Sequence, residues 1–321
     1  MEQDGPSVTP RTPLDLLVAG HVNIDVESRL PSLPGRDRTV PVLSRREALG
    51  GTAANIARWA SHLGARVALS AFVGKDLPGE FLQRLERDRV RTEDVVVREG
   101  EFTPVCWIFE DGRGGQTTII DQGAMRSTGT QPLPLRTLER VRLVHVTTGD
   151  PSFQLRLARE ARARGKLVAC DPAQEIHYRW STRGLQELLS LSEIFFGNES
   201  EFLQARRLLG RATAARLLER VPFIVVTRAA KGVRAYTRRG TVDVPTAPIR
   251  RFHRVTGAGD AFRGGFYRAW FRGEDLEDCL RFGQAASAAL VEHPPGPEGD
   301  LPPSRTVLSK VDRRGPRGRR A

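Results

Sequence analysis

Two periods of apolar positions run through this chain. Short continuous apolar runs bounded by Gly, Asp or Pro, such as LDLLVAG (14–20) and ARVALSAFVG (65–74), predict strands buried on both faces. Apolar residues three and four apart predict helices instead. In GGTAANIARWASHLG (50–64) those residues are Ile56, Ala57, Trp59, Ala60 and Leu63, and Gly64 supplies the stop. PGEFLQRLERDR (78–89) is amphipathic in the same way. From 141 onward the two patterns alternate, with strands 141–146, 166–170, 193–197 and 223–227 and helices 151–164, 181–191, 199–209 and 211–220. VRAYTRRG and TVDVP then predict a hairpin, and the C-terminal third predicts helices 258–272, 275–292 and about 303–311.

Strands joined by helices imply an α/β fold with a mostly parallel central sheet covered by helices on both faces. One region departs from the alternation. VVVRE (95–99) and TPVCWIFEDGRGGQTTII (103–120) are extended runs around a Gly-rich turn at 111–115, which predicts a small separate sheet. The expected organisation is one domain over 14–311, with lid strands at about 22–46 and 95–121 and no internal repeat. In such sheets ligands bind beyond the carboxyl ends of the strands. The segments to examine are therefore 21–25, 147–151, 171–175, 198–201, 227–232 and 257–260.

Composition narrows the class. A chain of 321 residues buries a proper core without disulfides. Its three cysteines, Cys106, Cys170 and Cys279, form no CxxC pair and lie near no His cluster, which argues against a disulfide framework and a structural zinc site. The longest early apolar run, Leu14 to Gly20, is interrupted by Asp15 and is far too short to span a bilayer. A soluble, cytoplasmic protein with no membrane partner is expected. The net charge of +12 is carried almost wholly by arginine, since only Lys75, Lys166, Lys231 and Lys310 are lysines. Much of that arginine is interleaved with acids, as in RLERDRVRTED (84–94), and reads as a solvated face rather than a specific nucleic-acid surface. Residues 1–13 and the basic DRRGPRGRRA (312–321) read as disordered tails. No aromatic residues are interleaved with the charge of the second tail to stack bases.

The chemistry-bearing stretch is RVTGAGDAFRGGF (254–266). Helix N-termini carry unpaired N–H groups and partial positive charge, and small residues let an anion approach them. Gly257, Ala258, Gly259 and Asp260 so placed admit two readings: a tight turn with a favourable helix charge, or an oxyanion cradle with a built-in base. Other strand ends add candidates. Gly50 and Gly51 open a second helix with Asn55 on its first turn, and Asn23 and Asp25 follow the first strand. Asn198 and Glu201 share a helix start, where Glu201 also fits a capping box. Thr227 ends a strand, five residues before Gly232.

Together these residues resemble the PfkB family of carbohydrate and purine kinases, which have the ribokinase-like fold. GGTAANIARWASHLGARVALSAFVGKDLPGE (50–80) and RVTGAGDAFRGGFYRAW (254–270) are similar to the family's two signatures. NESE (198–201) matches its NxxE motif, and TRAAKG (227–232) its TxGxxG turn, with Ala229 where a Gly is usual. HVTTGDPSF (145–153), CDPAQEIHYRW (170–180) and QGAM (122–125) resemble the archaeal broad-specificity nucleoside kinases.

The resemblance implies transfer of the ATP γ-phosphoryl group to a nucleoside 5′-hydroxyl. Asp260 would be the base, and the amides of Gly257, Ala258 and Gly259 the anion hole. Asn198 and Glu201 would position Mg²⁺ through water, with Asn198, Thr227, Gly232, Gly257 and Gly259 lining the nucleotide site. Asn23, Asp25, Gly50, Gly51 and Asn55 would bind the acceptor under the lid. Gln174 either reads a base edge or is a surface polar residue. Arg263, one helical turn after Asp260, either touches a phosphate of the nucleotide or pairs with an acid.

The family usually carries an aspartate at the position of Arg254, and Thr or Pro at that of Val255. In several relatives that aspartate helps hold a monovalent cation, so no K⁺ requirement is expected here. Two other functions remain open at this point: a sugar kinase acting on ribose, fructose or a keto-deoxy sugar, and a non-catalytic nucleotide- or RNA-binding protein. The lid strands offer a route to a homodimer, or an edge capped within one chain.

Overall fold

The computed structural model describes residues 13–112, 115–294 and 300–311. The expected tails, apart from Pro13, and the middle of the 111–115 turn lie outside the described residues. The strands are β1 (Leu16–Ala19), β2 (Asn23–Leu30), β3 (Ser44–Gly50), β4 (Val67–Val73), β5 (Arg91–Val97), β6 (Val105–Asp111), β7 (Gln116–Asp121), β8 (Leu143–Val146), β9 (Leu167–Cys170), β10 (Ile194–Asn198), β11 (Phe223–Thr227), β12 (Val233–Thr237) and β13 (Gly240–Val244). The helices are α1 (Thr52–His62), α2 (Gly79–Arg87), α3 (Leu135–Leu138), α4 (Pro151–Ala163), α5 (Thr182–Leu191), α6 (Glu199–Leu208), α7 (Ala214–Leu218), α8 (Ala258–Trp270), α9 (Leu276–Glu292) and α10 (Ser304–Val311).

Nine strands form one sheet in the order β13-β12-β11-β10-β9-β8-β1-β4-β5. From β11 across to β5 every pairing is parallel; β12 and β13 close one edge as an antiparallel hairpin. Both faces are covered, so β1 is wholly buried and divides its residues between two cores. Leu17 and Ala19 pack with Phe153 and Leu185, Leu16 and Val18 with Ile56 and Phe266. That double burial is why the strands read as unbroken apolar runs. The chain leaves β1 towards β4 and β5 on one side and reaches β8 to β11 on the other, so β1 is the topological switch point and its carboxyl end opens the ligand crevice.

Four strands, β3-β2-β6-β7, make a second, smaller sheet in which β2 and β6 run parallel and the outer pairs antiparallel. One expectation is corrected here. The 95–97 run belongs to β5, at the edge of the large sheet, and not to the lid. Helix α2 returns the chain from β4 to pair β5 in parallel, the ordinary crossover, and an apolar run alone does not say which sheet receives it. The lid therefore comprises 23–30, 44–50, 105–111 and 116–121, with β3 and β7 as its edge strands. No helix among the described residues is long and apolar enough to cross a membrane.

Candidate active site

Helix α8 begins at Ala258, with Gly257 at its N-cap in the left-handed region (φ 81°) and no side chain capping the turn. The N-terminal amides are thus left to a ligand. Ala258 is the exception to the expected anion hole. Its N–H is committed to the Val255 carbonyl at 3.0 Å, because the left-handed Gly257 closes the preceding turn. The amides of Gly257, Gly259 and Asp260 make no hydrogen bond among the described residues.

Asp260 accepts a hydrogen bond from Asn55 Nδ2 at 2.9 Å, which joins the two Gly-rich helix starts. Burial pushes its carboxyl up to about 7, against the pull of Asn55 and the Arg263 charge. Opposite, Asp25 stands on β2 with its carboxyl pushed up to about 8, first by burial and then by Glu27 and Asp260. Asn23 donates to it. Asp25 Oδ1 and Asn23 Oδ1 are both buried without a hydrogen-bond partner. Two orphaned acceptors in one place call for a ligand with hydroxyl donors.

The glycines before α1 make this possible. A Cβ on Gly50 would fall within the Asp25 carboxyl group. Gly51 has φ 97°, and a Cβ there would strike the His21 carbonyl, which receives the Ala54 N–H. Gly50 and Gly51 also join lid strand β3 directly to α1. A cavity of about 400 Å³ lies between lid and body, lined by Asp25, Asn55, Trp59, Thr256 and Gly257 among others. That volume suits a small metabolite.

A second group sits at the ends of β10 and β11. Asn198 and Glu201 form the reciprocal capping box of α6: Asn198 Oδ1 accepts from the Glu201 amide and Glu201 Oε2 from the Asn198 amide. Gln174 donates to Glu201 Oε1 at 3.1 Å. It is therefore not among the residues lining the acceptor cavity, and it faces the Glu201 side because the turn after β9 packs on α6. Burial and the Asp171 charge raise the Glu201 carboxyl. Thr227 pairs with Asn198 across β10 and β11. Gly232 has φ 85°, and Ala229, where the motif usually has glycine, is itself left-handed (φ 48°). The turn keeps the backbone that the glycine serves, at a steric cost of about 1–2 kcal/mol.

Arg263 takes the acid-pairing alternative. Its Nε and Nη2 donate to Asp171 at 2.8 and 3.2 Å, and its Nη1 donates to the Gly259 carbonyl at 3.0 Å. The pair is buried, with 4% and 1% exposure, so this guanidinium is not available to a nucleotide phosphate. Sequence reasoning did not single out Asp171. Its signal was its place, one residue beyond the carboxyl end of β9. A further buried chain was also missed: His21 Nε2 meets Gln122 Oε1 at 2.8 Å, and Gln122 Nε2 donates to Glu175, which also accepts from the Gly149 amide. It ties the end of lid strand β7 to the floor of the crevice. Burial drives His21 down to about 4, so this ring is neutral.

The model of the pfkB family of carbohydrate kinases matches residues 14–299. This chain belongs to that family. It is similar to a nucleoside kinase of Methanothermobacter thermautotrophicus, 33% identical over 279 residues, covering 87% of this chain and 89% of the relative. An ATP-dependent ribose-1-phosphate kinase of Halopiger xanaduensis is 28% identical, covering 85% and 90%. The crystal structure of Methanocaldococcus jannaschii nucleoside kinase, a ribokinase-family member, superposes with a TM-score of 0.84 at 30% identity, covering 94% of this chain and 100% of that one. The pfkB chain described here is accordingly a phosphotransferase with the ribokinase fold, acting on a nucleoside or sugar hydroxyl.

Proposed function

We propose that this kinase transfers the γ-phosphoryl group of ATP to the 5′-hydroxyl of a nucleoside. The observation that carries the reading is the orphaned acceptor on Asp25, in a cavity that is also lined by Asn55, the hydrogen-bond partner of Asp260; Asn23, with an orphaned oxygen of its own, stands two residues before Asp25 on β2. Ribose hydroxyls supply the missing donors, and the 5′-hydroxyl is then directed to the base. Asp260 takes its proton as the oxygen attacks the γ-phosphorus and the bond to the β-phosphate oxygen breaks, leaving ADP. The amides of Gly257 and Gly259 hold the charge that develops on the phosphoryl oxygens. Lid strands β2 and β3 cover the acceptor and exclude water as a competing acceptor. The nucleoside kinases at 33% and 30% identity support a nucleoside over a plain sugar.

Asn198 and Glu201 fit a magnesium ion held through water. Each of their oxygens already accepts one protein hydrogen bond and keeps a lone pair for a metal-bound water, and no group of three or more His, Cys, Asp or Glu among the described residues is placed to hold a metal directly. The ion would neutralise charge on the ATP phosphates. Thr227, which pairs with Asn198 at the adjacent ends of β10 and β11, and Gly232, in the turn between β11 and β12, would line the side left to ATP.

ADP release with Mg-ATP across nucleosides and sugars tests the reading. Nucleosides should show the higher kcat/KM; preference for ribose or fructose would overturn it. Gly50→Ala should raise the acceptor KM about tenfold or more, because its methyl displaces Asp25 while the fold is kept. An unchanged KM would remove Asp25 from the acceptor site. Arg254 stands where relatives carry an acid, and a guanidinium cannot ligate K⁺. KCl at constant ionic strength is therefore expected to leave the rate unchanged, and a clear rise would refute that expectation.

A further inference from the structure

The chain passes between the body and the lid four times: between β1 and β2, between β3 and α1, between β5 and β6, and after β7. These crossings meet at one pair of side chains. His21 lies in the first and Gln122 in the last. The Gln122 amide is used at both ends. Its Oε1 accepts from Arg179 Nη1 at 2.7 Å, so this atom is the oxygen, because a guanidinium only donates. His21 Nε2, 2.8 Å from the same oxygen, therefore carries the hydrogen of the neutral ring. Gln122 Nε2 donates to Glu175 Oε1 at 2.8 Å and to the Tyr178 hydroxyl at 3.2 Å. An amide with two partners at each end has one orientation open to it. The other two crossings are tied in through the backbone. The His21 carbonyl accepts from the Ala54 amide and lies against Gly51, where a Cβ would strike it. The Phe102 carbonyl accepts from the Ala124 amide and bars a Cβ on Gly123.

Neither His21 nor Gln122 lines the acceptor cavity, yet the pair borders both halves of the acceptor site. Asn23 and Asp25 follow His21 directly on β2. Asn55, which donates to Asp260, follows Ala54, whose N–H the His21 carbonyl holds. We propose that Gln122 is a positioning residue for phosphoryl transfer: its amide holds His21, and the His21 backbone sets Asn23 and Asp25 against Asn55 and Asp260. This role rests on the acceptor site proposed above. The chemistry of the step is unchanged. What Gln122 supplies is the distance and angle at which the acceptor hydroxyl meets the base, and a misplacement of about 1 Å there costs about 10²-fold. Among the described residues no hydrogen bond of His21 or Gln122 reaches Asn198, Thr227 or Gly232, so the ATP side is spared.

The full chain is assayed by ADP release with Mg-ATP and nucleosides as wild type, Gln122→Ala and Gln122→Glu. Gln122→Ala should raise the acceptor KM about tenfold or more and lower kcat about tenfold, with the KM for ATP within about threefold. Gln122→Glu keeps an oxygen for His21 and Arg179 but turns a second one towards Glu175. Burial already pushes Glu175 up to about 7, with the Gly149 amide, Arg179 and Gln122 opposing and Asp150 adding to the rise. Tyr178 is the remaining titratable group at the amide, and Asp121 and Arg126 beside it pair with each other. Two carboxyl groups this close share one proton, which restores the hydrogen bond between them at pH ~6; by pH ~9 their repulsion opens it. The acceptor KM of Gln122→Glu, relative to wild type at the same pH, should therefore rise about tenfold between those values. A folded Gln122→Ala with an unchanged acceptor KM overturns the positioning role, even if kcat falls, because a merely loosened fold lowers the active fraction and not KM. A KM for ATP that rises as far as the acceptor's overturns it too. Gly50→Ala separates the two readings. If it raises the acceptor KM and Gln122→Ala does not, only the positioning role fails; if neither does, the acceptor site fails with it. If sugars turn over and nucleosides do not, the nucleoside reading falls, and the same KM measurements on the sugar decide the role of Gln122. Should Gln122→Ala fail to fold, Gln122→Glu decides, and a KM ratio flat with pH overturns the role.

Discussion

Asp260→Asn is expected to lower kcat by about 10²–10⁴-fold, the range a positioned general base contributes. The substitution keeps the shape of the side chain, and an amide oxygen still accepts from Asn55 Nδ2. It removes only the ability to take a proton. ATP binding, through amides and residues elsewhere, should stay within about threefold. Stability should not fall, because the carboxylate is held at a cost. Burial pushes Asp260 up to about 7, so a neutral residue there loses no favourable charge. The pH dependence follows from the same shift. The base must be ionised, so wild-type kcat/KM should drop about tenfold per unit below pH ~7 and level off above it. Asp260 ionises ahead of Asp25, which its charge helps to push up to about 8. The limb is the first step of a coupled pair. In Asp260→Asn the residual activity should show no such limb. A variant with near-normal kcat, or one that keeps the limb, would take the base role from Asp260.

Much of this site was legible because its chemistry lies in local sequence. GAGD before a helical period, and GG before another, announce helix N-termini open to a ligand. The structure joins them through a single contact from Asn55 to Asp260, 205 residues apart in sequence. Asn198 and Glu201 were legible for a different reason: a capping box is a three-residue spacing, and it forms as written. What was not legible is what depends on long-range partners. A VVV run says strand, yet which sheet receives β5 is decided by the α2 crossover. Gln174 follows a strand end as a base reader would, but its amide goes to Glu201. The amide of Ala258 is withdrawn from the anion hole by the turn at Val255, which residue types do not reveal.

Arg263 is the sharpest case, because both its readings were open and one contact 92 residues away selects between them. Its guanidinium spans Asp171, at the end of β9, and the Gly259 carbonyl, inside the anion hole. Phe196 lies under it at 5.6 Å. His145 beside Asp171 is driven down to about 4 by burial, so it stays neutral and Arg263 is the cation that balances Asp171. Arg263→Ala should therefore destabilise the fold by about 3–5 kcal/mol, the cost of leaving one member of a buried pair unmatched. Asp171→Asn in the same chain should restore part of that loss, since the stranded charge is removed. The effect on activity has a separate signature. Arg263 favours the charged form of Asp260, so its loss should raise the Asp260 pKa and move the acid limb of kcat/KM to higher pH. Arg263→Lys keeps the charge but not the fork, so it should hold the limb near its place while lowering kcat through the loosened Gly259 carbonyl. Denaturant unfolding and pH–rate profiles of the three variants check this. A stable Arg263→Ala with an unmoved limb would make the arginine a bystander, and the rigidity of the cradle would need another source.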